Sequence, residues 1–283
     1  MKSQKILSWK CRDRILEIGR RPLIMGILNV TPDSFSDGGR YLKPEDAVSR
    51  AAEMIGAGAD IIDIGGESTR PGATAIGEDE EMDRVIPVIR RIKDAWDILL
   101  SIDTYKERVA RTAVAEAGAD MVNDISALRF SDGMAETLAR LNVPVVLMHI
   151  QGLPRTMQDQ PQYGDVIAEI CDYFRERIEF AMAKGIAREK IILDPGIGFG
   201  KKVEDNIAII RQLKRFHDFS LPLLVGISRK SFLGKISGEP AADKRIGETL
   251  TAGIMAILNG ASILRVHDVR ETVASIKILR ALR

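Results

Sequence analysis

Residues Ile191 to Lys202 read IILDPGIGFGKK, and the rest of the chain parses outward from them. A short apolar run rises to one carboxylate, Asp194, and breaks at Pro195 into a loop with glycines at Gly196, Gly198 and Gly200. That pattern reads as a buried strand delivering an acid to the mouth of a ligand site. A glycine-rich turn ending in lysine invites comparison with a phosphate-cradling loop, but a Walker loop needs Ser or Thr after the lysine, and here Lys202 follows Lys201. A dinucleotide fingerprint leaves no acid and proline between strand and glycines. A strand-end carboxylate is the reading that survives, and Lys201 is expected to face solvent or support the loop.

The same unit of apolar strand, polar loop and amphipathic helix recurs along the chain. LIMGILNV, after Pro22, is a buried strand ending in Asn29, followed by a loop from Thr31 to Tyr41 and a helix opening at Pro44. Further pairs are strand Ile61 to Ile64 with helix Glu78 to Ala95, strand Leu99 to Asp103 with helix Lys106 to Ala117, and strand Met121 to Asn123 with helix Asp132 to Leu141. Strand Val143 to Met148 precedes helix Asp165 to Lys184, and the opening stretch precedes helix Glu204 to Arg215. Strand Leu223 to Gly226 pairs with helix Arg245 to Leu258, and strand Ile263 to Val266 with helix Val269 to Leu282. Eight strands apolar on both faces predict an α/β fold, a (β/α)8 TIM barrel, with an open doubly wound sheet as the alternative if one pair is misread. The barrel is expected to be a single domain over 22–283, preceded by an N-terminal extension over 1–21 that serves as a lid or plug at one end.

A barrel of this kind builds its site at the C-terminal ends of its strands. The residues there are Asn29, Asp63, Asp103, Asn123, His149, Asp194, Ser228 with Lys230, and Arg265 with His267. Polar residues recur at one end of nearly every strand, which points to an enzyme.

Composition narrows the chemistry. The 283 residues are 45% hydrophobic and 29% charged, ordinary for a soluble globular enzyme. Lys and Arg total 41 against 40 acids, so the net charge of +1 gives no overall field for nucleic acid or anionic lipid, and an anionic ligand must be met locally. Cys11 and Cys171 have no metal-type spacing, and no apolar run is long enough to span a membrane. A reduced, cytoplasmic protein is expected. His149, His217 and His267 give no helical zinc pair; His217 is expected to be solvated and His149 to pack beneath the site.

Six segments then carry a family resemblance: GILNVTPDSFSDGG (Gly26 to Gly39), DIGGESTRPGA (Asp63 to Ala73), SIDT (Ser101 to Thr104), LMHIQGLPRTMQ (Leu147 to Gln158), LDPGIGFGK and GISRKSFLG (Gly226 to Gly234). In this order, closed by Arg265-Val266-His267, they resemble bacterial dihydropteroate synthases from Pro22 onward. The resemblance implies that 6-hydroxymethyl-7,8-dihydropterin diphosphate is condensed with p-aminobenzoate to 7,8-dihydropteroate and pyrophosphate. It implies a homodimer as well, and competition by sulfonamides that mimic p-aminobenzoate.

Site residues follow from the same resemblance. Asp103, Asn123, Asp194, Lys230, Met148 and Phe199 are expected on the pterin, where a carboxylate can accept from two adjacent donors of the amino-pyrimidinone edge. The loop glycines are expected to let the backbone pass close to that flat ring. Asn29, Thr69, Arg265 and His267 are expected on the diphosphate, with Asn29 holding Mg2+ through its oxygen. Asp33 and Phe35 in the first loop, with Ser68, Thr69, Arg70 and Pro71 in the second, are expected to close a p-aminobenzoate slot beside Lys230 and Ser231, which Phe199 walls. An arylamine is already neutral and nucleophilic, so leaving-group departure is the hard step and an SN1-like displacement is expected, with Asn29, Arg265, His267 and Lys230 at the reaction centre. Two rivals remain in the sequence: a corrinoid-linked methyltetrahydrofolate methyltransferase of the same superfamily, and a pterin-binding paralogue without turnover.

Overall fold

A period-two alternation inside each strand decides the architecture. The computed structural model describes residues 7–11, 14–18, 21–31, 44–68 and 72–282. A hairpin of β1 (Leu7–Cys11) and β2 (Arg14–Ile18) comes first. Eight parallel strands follow: β3 (Leu23–Asn29), β4 (Ile61–Gly65), β5 (Leu99–Asp103), β6 (Met121–Asp124), β7 (Val145–Met148), β8 (Ile191–Asp194), β9 (Leu224–Gly226) and β10 (Ile263–Val266). Their hydrogen-bonded order is β8-β7-β6-β5-β4-β3-β10-β9. A parallel bridge between Leu193 and Leu223, with Leu193 N–H donating to the Pro222 carbonyl at 3.0 Å, joins the two ends and closes the barrel.

The helices are α1 (Pro44–Ala57), α2 (Glu78–Ala95), α3 (Glu107–Ala115), α4 (Met134–Leu141), α5 (Val166–Ala183), α6 (Val203–Gln212), α7 (Ser231–Ser237), α8 (Ile246–Leu258) and α9 (Val269–Ala281). Their starts have local causes. Asp165, for example, caps α5 by accepting from the Ile167 and Ala168 N–H groups. Outward strand residues such as Ile62, Ile64, Leu100, Ile102 and Val122 share one core with helix residues Val85, Ile89 and Val109. Burying each such side chain contributes about 1.5–3 kcal/mol, so the outward stripe holds the helical ring to the barrel.

The inward stripe forms a separate apolar layer from Leu23, Met25, Ile61, Leu99, Met121, Val146, Ile192, Leu224 and Ile263. Two residues further along the same strands, the inward positions become Asp63, Ser101, Asn123, Met148, Asp194, Gly226 and Arg265. The interior is therefore apolar toward the N-terminal ends of the strands and polar toward the C-terminal ends. Cys11 is fully buried against the apolar layer and its Sγ lies 3.6 Å from the Asp120 carbonyl, so the hairpin plugs the end opposite the polar ring.

Several element ends depart from the expected map, helix Glu204 to Arg215 among them, which runs over Val203–Gln212. Strand Val143 to Met148 shortens to Val145–Met148, and an extra helix, α7, occupies what reads as a turn after β9. Seven residues containing Gly234 carry too weak a periodic signal to register as a helix.

Candidate active site

The polar ends of the strands line one cavity of about 660 Å³. Among its walls are Asn29, Asp103, Asn123, Met148, Asp194, Phe199, Lys230, Ser231, Arg265 and His267. Of the residues expected in the site, these ten come together. Asp33, Phe35, Thr69, Arg70 and Pro71 lie outside the described residues. Ser68 is half-buried in the loop after β4 and is not one of the cavity-lining residues.

A charge relay fixes the floor. Arg265, on β10, donates from Nε to Asp63 Oδ2 and from Nη2 to Asp103 Oδ2, both at 2.5 Å. Asn123 Nδ2 donates to the same Asp63 oxygen at 2.9 Å. Asp63 is fully buried, and its Oδ1 has no partner among the described residues. Two carboxylates share one guanidinium at the cavity floor and compete for its charge. Burial pushes Asp103 up to about 7, against the pull of Arg265, and the neighbouring Asp63 charge adds to the rise. The same two acids hold the Arg265 proton well above its ordinary range despite burial.

Asp194 ends β8 with its Oδ1 accepting from the Gly196 N–H at 2.7 Å. Burial raises its pKa to about 6, opposed by that N–H and by the charges of Lys230, Arg265 and Lys201. Lys230 Nζ sits 4.1 Å from the Phe199 ring centroid, a cation–π contact across the cavity mouth. Ser228 Oγ lies 3.0 Å from His267 Nδ1 and accepts from the His267 N–H at 3.1 Å, joining the ends of β9 and β10.

The glycine loop packs tightly against the loop after β7. Gly196 adopts φ +67°, and a Cβ there would fall 1.9 Å from the His149 carbonyl oxygen. At Gly200, with φ +62°, it would fall 2.5 Å from the Gln151 carbonyl. These two glycines let the β8 loop pass against the β7 loop. Gly196 and Gly198 both line the cavity, and a Cβ at Gly198 would meet the Lys230 side chain at 3.1 Å.

Lys201 overturns one half of its expectation. It is 3% exposed, not solvent-facing, and supports the loop by donating to the Phe199 carbonyl at 3.0 Å and contacting His149 Nδ1 at 2.9 Å. His149 is buried with its ring edge-on to Tyr173, centroids 4.8 Å apart, and burial beside Lys201 and Arg129 pushes its pKa down to about 2. His217 is half-buried rather than fully solvated, with Nε2 at 3.0 Å from the Gly260 carbonyl.

A model of the family described as pterin binding enzyme matches residues 25–267, from the third residue of β3 to His267. Dihydropteroate synthase of Escherichia coli strain K12 is 48% identical over 260 residues, covering 92% of this chain and 91% of that protein. The chain belongs to the dihydropteroate synthase family. It is accordingly an enzyme of the transferase class. Among solved members of the family, the Xanthomonas albilineans dihydropteroate synthase with 4-aminobenzoic acid superposes with a TM-score of 0.92 at 45% identity, covering 98% of both chains. The Yersinia pestis dihydropteroate synthase in a sulfonamide drug complex gives 0.92 at 45% identity over 98% of this chain and 99% of that one.

Within this family member, the sequence places Asp63 at a strand end and leaves Lys201 as a loop-supporting or solvent-facing residue, but names a partner for neither. Asp63 carried a usable signal: a lone acid at an inward position between isoleucines of a barrel strand must find a cation inside. Lys201 carried none, because burial of a loop lysine depends on the neighbouring β7 loop.

Proposed function

We propose that the chain condenses 6-hydroxymethyl-7,8-dihydropterin diphosphate with p-aminobenzoate, giving 7,8-dihydropteroate and pyrophosphate. One observation carries the reading: Asp103, Asn123, Asp194, Lys230 and Arg265 converge on one cavity large enough for a bicyclic ring and an arylamine together. Asp194 accepts from the amino and ring N–H donors of the pterin, Asn123 and Asp103 complete that edge, and Lys230 donates to the pterin carbonyl and ring nitrogen. Met148 and Phe199 cover the ring faces.

Arg265 and His267, with Thr69, take the diphosphate oxygens. As the carbon–oxygen bond breaks, its electron pair leaves with pyrophosphate and the dihydropterin ring shares the positive charge left on the exocyclic carbon. The arylamine nitrogen then forms the new carbon–nitrogen bond and passes its proton to the departing pyrophosphate. No residue need act as a strong base, since the amine is neutral beforehand. Asp33, Phe35, Ser68, Arg70 and Pro71 of the first two loops, with Lys230 and Ser231, close the p-aminobenzoate slot and exclude water from the cation. Sulfonamides compete there.

The donor set fits Mg2+ bound chiefly through substrate and water: Asn29 offers one neutral oxygen to the cavity, and among the described residues no cluster of three acids, histidines or cysteines forms a protein-only cage. Asn29 would hold the ion through its side-chain oxygen, and the ion would supply charge neutralisation to the leaving group. A cytoplasmic homodimer is the accompanying reading. It is supported by two free cysteines, by the lack of any helix among the described residues long and apolar enough to cross a membrane, and by exposed Met255 on α8 and Ile278 on α9. Pyrophosphate release requiring both substrates tests the reaction.

A further inference from the structure

We infer that Lys201 is a positioning residue for pterin binding, pinning from behind the loop that carries Asp194 and Phe199 and placing a positive charge beneath the Asp194 carboxylate. The inference rests on the pterin reading above. It begins from an anomaly of charge. Lys201 is 3% exposed, yet among the described residues no carboxylate lies within ion-pairing distance of its Nζ. Its three nearest acceptors are neutral: the Phe199 carbonyl at 3.0 Å, His149 Nδ1 at 2.9 Å and the His149 carbonyl at 3.4 Å. An ammonium so placed costs free energy that a methionine of similar length would not, so packing alone does not account for it.

What the side chain does is geometric. An ammonium only donates, so His149 Nδ1 accepts and its proton sits on Nε2. The donors span two loops, tying the Phe199 carbonyl in the β8 loop to His149 at the end of β7. Gly196 lies in the same contact, its missing Cβ 3.3 Å from Nζ, and its N–H is the one that holds Asp194 Oδ1. Phe199 in turn sits under Lys230. Lys201 thus braces both the acid that reads the pterin edge and the ring that covers its face, without lining the cavity itself.

Charge points the same way. Lys201, Lys230 and Arg265 are the cations that favour ionised Asp194, while Lys201 is faced by Asp194, Lys230 and Asp205 in addition to His149. Burial brings Lys201 down to about 7, so around pH 6, where Asp194 titrates, it is still largely an ammonium.

The test is the intact protein carrying Lys201→Met, assayed with 6-hydroxymethyl-7,8-dihydropterin diphosphate and p-aminobenzoate. The KM for the pterin substrate is expected to rise about tenfold or more, the size of one lost charged hydrogen-bond anchor, while that for p-aminobenzoate stays within about twofold. The acid limb of kcat/KM for the pterin substrate is expected to move upward by about half a pH unit or more as Asp194 loses a neighbouring cation. A role confined to folding would move neither the split nor the limb. His149→Phe keeps the ring volume and removes one acceptor; it is expected to raise the pterin KM severalfold with the same selectivity, and it carries the test if Lys201→Met does not fold. Unchanged pterin KM and an unmoved acid limb in a folded variant overturn the inference. Absence of pyrophosphate release by the unsubstituted protein would instead overturn the functional reading on which it rests.

Discussion

Arg265 and Asp63 meet inside the barrel at 2.5 Å, Nε to Oδ2, although β3 separates their strands. The pair spans the interior just above the apolar layer, and Asn123 closes on the same oxygen. One acid thus fixes the orientation of a cation and an amide that both line the cavity. Asp63→Asn is expected to cost about 2 kcal/mol in urea unfolding, because a charged hydrogen bond is lost while Arg265 remains buried. The KM for the pterin substrate should rise with it. Wild-type stability and KM would show that Asp103 alone suffices to hold Arg265.

The titration of Asp194 makes a pH prediction with a definite sign. Only the carboxylate accepts from two pterin donors, so pterin affinity is expected to fall as pH drops through about 6, where burial has placed the group. In the free protein the effect on stability runs the opposite way. A raised acid contributes stability below the ordinary carboxyl pKa and loses that contribution as pH climbs through about 6. Asp194→Asn is therefore expected to lose about 2 kcal/mol of pterin affinity while unfolding no more easily than the parent at pH 7. Calorimetric titration with the pterin substrate at pH values on either side of about 6 checks the first part, and urea unfolding the second. A flat affinity profile would remove Asp194 from its role.

Lys106 clips the base of the loop that follows β4. Its Nζ donates to Glu67 Oε2 at 2.5 Å, to the Ile76 carbonyl at 2.9 Å and to the buried Glu81 at 2.6 Å, while Tyr105 Oη donates to Glu67 Oε1 at 2.7 Å. Burial already pushes Glu81 above the ordinary carboxyl range, with Lys106 opposing. Lys106→Met leaves two interior acids without their cation and is expected to destabilise by about 3–5 kcal/mol at neutral pH, less under acid conditions where Glu81 is protonated. A loss that does not shrink as the pH is lowered would contradict that assignment.

Gly196→Ala forces a Cβ to within 1.9 Å of the His149 carbonyl in a left-handed backbone. Neither loop has a flexible side chain to yield at that contact. The variant is expected to bind no pterin and to melt at a lower temperature, whereas Gly133→Ala, also left-handed but with open space around it, carries only the backbone penalty of about 1 kcal/mol. Similar melting shifts for both would mean that the two loops part easily.

Much of this was legible in the sequence because a barrel writes itself as repeats. Eight apolar strands each followed by an amphipathic helix, with Asp103, Asn123, Asp194 and Arg265 at corresponding ends, are local patterns, and the alternation of two places those residues inward. Contacts between repeats are not local. Asp63 is 202 positions from Arg265, and Lys201 is 52 from His149, so nothing in their neighbourhoods announces the partner. The loop glycines were legible as a place for close backbone approach, but which protein surface lies against them is settled only when β7 and β8 pair.

The most direct measurement is pyrophosphate release by the purified protein given 6-hydroxymethyl-7,8-dihydropterin diphosphate, Mg2+ and p-aminobenzoate. Release in step with 7,8-dihydropteroate formation, dependent on p-aminobenzoate and suppressed by a sulfonamide in competition with it, is the predicted result. Tight pterin binding with no pyrophosphate, or methyl transfer from methyltetrahydrofolate to a corrinoid protein, would contradict it.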